Sequence, residues 1–387
     1  MLGRIGRLVG GLALVASSVG LSVVLAEGVL RLVLNPSDFL HATMVEDPVL
    51  GQRIKPLTTG HDLLGFRNRE LPSQAPIVAI GDSNTYGVSA PREGSWPFQL
   101  GGLIGEPVYN MGLGGFGPLQ YLHLAQVTAK ALRPRVWVVG FYFGNDLMDA
   151  YYTAHGRSYW HSWRMSEGAP QGGTEFDLAG SAVPPKRFAS VRDWLSRHSL
   201  LYSVLRATVL PRMAAKERQQ IVQRSRPDVQ WEWTDPAKAA VHTVFTPQSR
   251  LAAVNLDNAS VREGMQITQR ALAAIQAEAD KQGVKLLLVL IPTKERAYCK
   301  QLALNAAALP VSHAKLCVAE IAAQGELVRA LGEQGTRFVD ATPALEARIA
   351  EHAKLYPTDA DGHLQSAGYA VVAQVVADAI RRHSPKP

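Results

Sequence analysis

Ile77-Val78-Ala79-Ile80-Gly81-Asp82-Ser83-Asn84-Thr85-Tyr86-Gly87 puts an apolar run, a turn and a serine into eleven residues. The apolar run reads as a buried strand, and Ser83 at its end can turn both its Oγ and its own backbone N–H toward a substrate. Gly-Asp-Ser also makes ordinary surface turns, so the tripeptide gains meaning only from the rest of the chain. Gly144-Asn145-Asp146 follows a second apolar run, Val136 to Phe143, and Asp361-Gly362-His363 lies near the end. A serine, an amide donor and an imidazole are the parts of a nucleophile, an oxyanion donor and a base.

Outward from Ser83 the pattern alternates. Val108-Tyr109-Asn110 predicts a short strand, and Pro118 opens a helix expected to reach about Leu132. From about residue 258 a long amphipathic helix is expected, capped by Ser260 and stopped at Gly283. Lys285 to Ile291 reads as a strand buried on both faces and Arg337 to Asp340 as a shorter one, with helices at about 315–334 and 366–383. Strands alternating with helices predict an α/β three-layer sandwich, α/β/α, around a parallel sheet. In such sheets ligands bind beyond the carboxyl ends of the strands, where Ser83, Gly115 and Asn145 fall.

The expected organisation is 1–32 as a membrane anchor or signal segment and 33–75 as a lead-in that packs on the domain or spaces it from a membrane. The α/β domain follows as 76–149 and 258–387, interrupted by an insertion, 150–257. Helices such as Arg187 to Val209 and the aromatic residues Tyr151, Tyr152, Tyr159, Trp160, Trp163, Trp194, Trp231 and Trp233 mark that insertion. Their rings suit either sugar stacking or a small core of the insertion.

The chain has 387 residues, 47% hydrophobic and 19% charged, enough for one large core or two modest ones. Its net charge of +7 is dispersed, without the basic stripe that nucleic-acid binding needs. Leu8 to Ala26 is nineteen residues without a charge, flanked by Arg4 and Arg7 and then by Glu27 and Arg31. At about 1.5 Å per residue this approaches the ~30 Å bilayer core, and the basic flank leaves the rest of the chain outside the cytoplasm. An uncleaved anchor fits better than a cleaved signal at Val24-Leu25-Ala26, because the apolar run exceeds the usual signal core. Export permits the only two cysteines, Cys299 and Cys317, to pair; the other reading is two buried thiols.

Gly112-Leu113-Gly114-Gly115-Phe116-Gly117 has the spacing of a dinucleotide-binding loop, but the acidic residue expected about twenty positions on is missing. No cofactor is therefore expected, and the loop suits oxyanion binding better. The eleven histidines form no metal-ligand motif and the cysteines lack companion ligands, so no metal is expected.

Together, Gly81-Asp82-Ser83, Asn110 to Gly115, Gly144-Asn145-Asp146 and Asp361-Gly362-His363 resemble, in order and spacing, the blocks of the SGNH (GDSL-type) hydrolase superfamily. The likeness spans about 76–149 and 259–383. It implies a flavodoxin-like SGNH fold with Ser83 as nucleophile, His363 as acid/base, and the Ser83 N–H, the Gly115 N–H and Asn145 as oxyanion hole. The usual acid position, three before the histidine, is Ala360 here, so Asp361, or failing it Asp359, must orient His363. The anchor, Phe143 to Leu147 and Ile291-Pro292-Thr293-Lys294-Glu295 are similar to a bacterial membrane-tethered subgroup whose relatives act on acyl esters of extracellular carbohydrate. What the resemblance implies is an extracytoplasmic serine esterase removing short acyl groups, such as acetyl, from a glycan or a related small ester. The alternatives are an O-acyltransferase using the same serine and a non-catalytic carbohydrate-binding scaffold.

Overall fold

The computed structural model describes residues 2–165, 189–208, 227–304 and 309–383. Its centre is a five-stranded parallel sheet made of β3 (Ile77–Gly81), β4 (Val108–Gly112), β5 (Val136–Tyr142), β8 (Lys285–Ile291) and β9 (Phe338–Asp340). The strands lie in the order β4-β3-β5-β8-β9. In chain rank that is 2-1-3-4-5, the flavodoxin-like arrangement, whose order reverses between its first and third strands. Here those are β3 and β5, the strands that lead to Ser83 and Asn145.

The central strands are apolar throughout because both faces are covered. On one face Val78, Ile80, Val139, Phe141, Leu288 and Leu290 pack under the helices Pro118–Leu124, Asp146–Gly156, Ala259–Gln282 and Val311–Glu333. On the other, Ile77, Ala79, Val138, Val289 and Ile291 meet the helices Trp96–Ile104, Lys294–Leu304, Thr342–Ala350 and Ser366–His383.

A row of glycines explains how Ser83 is set down on this sheet. Gly112, Gly81 and Gly140 are register neighbours on β4, β3 and β5. A Cβ on Gly81 or Gly140 would stand 2.0 or 2.5 Å from Thr85 Oγ1, and one on Gly112 2.2 Å from the Tyr86 nitrogen. The missing side chains let the four-residue helix Ser83–Tyr86 lie directly on the strand ends. Asp82 caps it by accepting from the Asn84 N–H at 2.9 Å.

Several local expectations change. Asn258, not Ser260, caps the long helix, accepting from the Ser260 N–H. The helix from Pro118 passes into a π-helical turn at Ala125–Ala129. Within the expected Arg187 to Val209 helix there are two, Ala189–His198 and Leu200–Thr208, broken at Ser199; 187, 188 and 209 lie outside the described residues. The lead-in packs on the domain. It forms an antiparallel ribbon of β1 (Met44–Asp47) and β2 (Gly51–Ile54), and buried Arg67 pairs with Asp38 at 2.7 Å and donates to the Gly87 and Ala90 carbonyls. The hairpin of β6 (Trp231–Thr234) and β7 (His242–Phe245) joins the main core, with Trp233 and Phe245 against Tyr298. Trp160 is likewise buried, donating to the Val49 carbonyl, so these rings are core rather than sugar platforms.

Cys299 and Cys317 form a disulfide that ties the Lys294–Leu304 helix to the Val311–Glu333 helix. The link contributes about 3 kcal/mol on loop-entropy grounds.

Candidate active site

The Ser83 hydroxyl stands 2.8 Å from Nε2 of His363, whose Nδ1 lies 2.5 Å from Asp361 Oδ1. The ionised carboxylate can only accept, so Nδ1 carries the proton and Nε2 is free to receive one from Ser83. Burial alone would raise the Asp361 carboxyl, but hydrogen bonds from His363 and Ser89 hold it well below the usual carboxylate range. Ser89 donates to Oδ2, and the His363 N–H donates to Oδ1 at 3.0 Å. Asp359 Oδ1 accepts from the Asp361 N–H at 3.1 Å, bracing the loop.

The oxyanion candidates converge on the same serine. In the glycine block Asn110 accepts from the Gly112 N–H at 2.8 Å and donates to the Thr85 carbonyl at 2.9 Å, pinning the loop to the Ser83 helix. Gly115 sits at φ +79°, a conformation that favours glycine, in a turn closed from Phe116 N–H to the Leu113 carbonyl. A Cβ on neighbouring Gly114 would lie 3.7 Å from the Ser83 Cβ. Among the described residues the N–H groups of Ser83 and Gly115 have no partner within the protein. Asn145 occupies the cap position of Asp146–Gly156 without its side chain capping the helix; the amide donates to Asp149 instead. An amide NH2 carries two hydrogens, which leaves one for a ligand.

A cleft of about 350 Å³ adjoins this loop, lined by Gly114, Gly115, Gln52, Gln120, Tyr152 and Arg157 among others, and Asp149 reaches it. A larger groove of about 620 Å³ runs along the outer edge of β4, but Ser83, Asn145, Asp361 and His363 take no part in it.

Burial pushes the Asp149 carboxyl up to about 7 from 3.8, against the hydrogen bond from Asn145. The folded chain therefore holds a proton that the unfolded chain releases, and stability falls as pH rises from about 4 to about 7. Asp149→Asn is expected to melt above the wild type at pH 8, by about 5 °C. The two melting curves should converge toward pH 4, which thermal denaturation at several pH values would check.

Two residues behind the triad were given no role from the sequence, although Lys294 lies in the quoted run Ile291 to Glu295. Lys294 is fully buried, and its Nζ lies 3.0 Å from the Asp359 carbonyl and 2.9 Å from the Asp361 carbonyl. It also reaches the Val244 carbonyl at 2.6 Å and Thr243 Oγ1 at 3.1 Å, joining the triad loop to β7. Burial draws its ammonium down to about 8, against the neighbouring charges of Glu295 and Asp361. Arg250 donates to the Gly144 carbonyl at 3.4 Å, and a Cβ on Gly362 would meet its guanidinium at 2.7 Å. It therefore sits between the Asn145 and His363 loops.

Cys299, Cys317 and His313 cluster as metal ligands would. The sulfurs are bonded to each other, and both His313 nitrogens are engaged: Nδ1 accepts from Trp231 at 3.1 Å and Nε2 donates to the Glu295 carbonyl at 3.2 Å. The cluster is a structural staple.

A 2-1-3-4-5 parallel sheet bearing a Ser–His–Asp chain at its carboxyl edge defines a three-layer, flavodoxin-like SGNH-type class of protein. Residues 251–387 match the model of the SGNH hydrolase-like domain of the acetyltransferase AlgX. The match covers a little over a third of the chain; it includes Lys294, Asp361 and His363 and leaves Ser83 and Asn145 outside. Among solved structures, one similar chain is a catalytic mutant of Axe2, an acetylxylan esterase from Geobacillus stearothermophilus. It is 14% identical, with 80% of this chain and 95% of that chain covered and a TM-score of 0.37. Another is LAE5, an alpha/beta hydrolase enzyme from the metagenome of Lake Arreo, at 12% identity, 81% and 99% coverage and a TM-score of 0.38. A GDSL-like lipase from Bacteroides thetaiotaomicron is 10% identical, with 81% and 93% covered and a TM-score of 0.36. No curated protein matches the chain.

Proposed function

We propose that this protein is a membrane-anchored serine esterase that removes short acyl groups from a hydroxylated, glycan-like substrate outside the cytoplasm. The observation that carries the reading is the unbroken chain Ser83 Oγ, His363 Nε2, His363 Nδ1, Asp361 Oδ1, with separations of 2.8 and 2.5 Å. Ser83 Oγ attacks the ester carbonyl carbon while His363 Nε2 takes its proton. The carbonyl oxygen becomes an oxyanion held by the Ser83 N–H, the Gly115 N–H and the Asn145 amide. Collapse expels the alcohol, which receives the proton from His363, and leaves an acyl-serine. Water, deprotonated by His363, then attacks that carbonyl and releases the acid and free Ser83.

The cleft beside Gly115 favours a hydrophilic alcohol portion, since amide, carboxyl and guanidinium groups line it. The membrane part of the reading rests on the helix Leu2–Val33, which runs unbroken past Ala26, and on its exposed apolar stretch Gly10–Val33 of mean hydropathy 1.9. A second reading, acyl transfer to a sugar hydroxyl in place of water, is favoured by the matched domain's description as that of an acetyltransferase.

Asn145→Ala is expected to lower turnover of p-nitrophenyl acetate by ~10²–10³-fold with little change in KM. Full activity in a folded variant would remove Asn145 from the oxyanion hole. Steady release without added oligosaccharide supports the esterase, whereas release sustained only with it supports the transferase.

A further inference from the structure

Beyond the Ser83 site, an exposed apolar surface passes from the N-terminal helix onto Ala189–His198 and Leu200–Thr208. The uncharged stretch Leu8 to Ala26 is about 28 Å long as a helix, nearly the hydrocarbon thickness. Glu27 therefore stands at its outer boundary. Its carboxylate accepts from Ser199 Oγ at 3.0 Å and from the Leu200 and Leu201 N–H groups at 2.9 Å each, capping the second helix of the pair. Arg31 pairs with Glu27 at 2.8 Å and donates to the His198 carbonyl at 2.6 Å, holding the end of the first.

These bonds fix the height of the pair. Trp194 precedes His198 by four residues, so it lies at most ~6 Å along its helix from the Arg31 level, whatever the tilt. The polar layer on each side of a bilayer core is about 5–7 Å deep. Around that level the structure exposes Trp194 (58%), Val191 (52%) and Leu205 (49%), with Arg192 and Arg206 exposed beside them; Val191 and Leu205 lie up to ~10 and ~8 Å along their helices from the clasp. Indole rings with an apolar body and one N–H favour that layer, and arginines there can meet lipid phosphates.

We infer that helices Ala189–His198 and Leu200–Thr208 form a foot lying in the headgroup layer of the bilayer that the N-terminal helix spans. The surface it fits is lipid, and the inference rests on the anchor in the proposed function. One spanning helix would leave the domain free to tilt; a foot clasped through Glu27 and Arg31 gives a second contact and sets the Ser83 cleft at a fixed attitude to the membrane.

The test uses the full chain in phosphatidylcholine vesicles, with and without bromine on the acyl carbons nearest the headgroups. Bromine is expected to quench part of the tryptophan emission, and Trp194→Phe to remove that part at an unchanged melting temperature. Alkaline carbonate extraction separates the failures. A chain retained by the vesicles whose quenching is the same in both forms overturns the foot alone, and a chain released by carbonate overturns anchor and foot together.

Discussion

Ser83→Ala is expected to lower p-nitrophenyl acetate turnover by about 10⁴–10⁶-fold, the largest effect of any single substitution in this chain. No neighbouring group can replace the lost oxygen. Asp82 Oδ2, 3.2 Å from Ser83 Oγ, belongs to a buried carboxyl whose affinity for protons is raised by that burial, and whose other oxygen, Oδ1, is committed to the Asn84 N–H. The substitution should leave the fold intact, because the hydroxyl takes no part in capping the Ser83–Tyr86 helix, which Asp82 does. Melting temperature and circular dichroism should match the wild type while turnover is lost. A stoichiometric phosphonate adduct on wild-type Ser83, absent from the variant, would identify the nucleophile directly. Equal turnover in both proteins would overturn the proposed chemistry, and no turnover above background in either would favour a binding scaffold.

The sheet was legible because its strands are buried on both faces and read as continuous apolar runs such as Leu286 to Ile291. The glycine-marked turns were legible because Gly115 and Gly283 adopt backbone conformations that favour glycine. Side chains named from separate blocks, Ser83, Asp361 and His363, meet within hydrogen-bond distance. What could not be read was set by distant contacts or by one dihedral. Asn258 and Ser260 are equally good caps, and only the extended backbone at Asn258 selects it. The polar ribbon of β1 and β2 has no apolar alternation to announce it. Trp231, Trp233 and Phe245 look like insertion aromatics because their neighbours, Tyr298 and His313, are over fifty residues away.

Lys294→Met is expected to cost roughly 3–5 kcal/mol, the largest stability loss of a single substitution here, on the order of 10 °C in melting temperature for a domain this size. The methionine fills the space, but the carbonyls of Val244, Asp359 and Asp361 and the Thr243 hydroxyl lose their shared donor. Buried carbonyls without partners are each costly, and Glu295 would lose the cation that helps hold its buried carboxyl ionised. The effect should reach the chemistry, because two of those carbonyls belong to the loop that aims Asp361 at His363. Turnover should fall with little change in KM, since Lys294 lines no part of the cleft beside Gly115. The rest of its helix would stay in place: Glu320 accepts from the Thr293 N–H at 2.8 Å at one end, and the Cys299–Cys317 disulfide holds the middle. That arrangement lets the experiment distinguish positioning from general unfolding. Loss of turnover at a temperature where the variant is still fully folded would place Lys294 in control of the triad loop, while loss that merely tracks the unfolded fraction would make it a core residue alone.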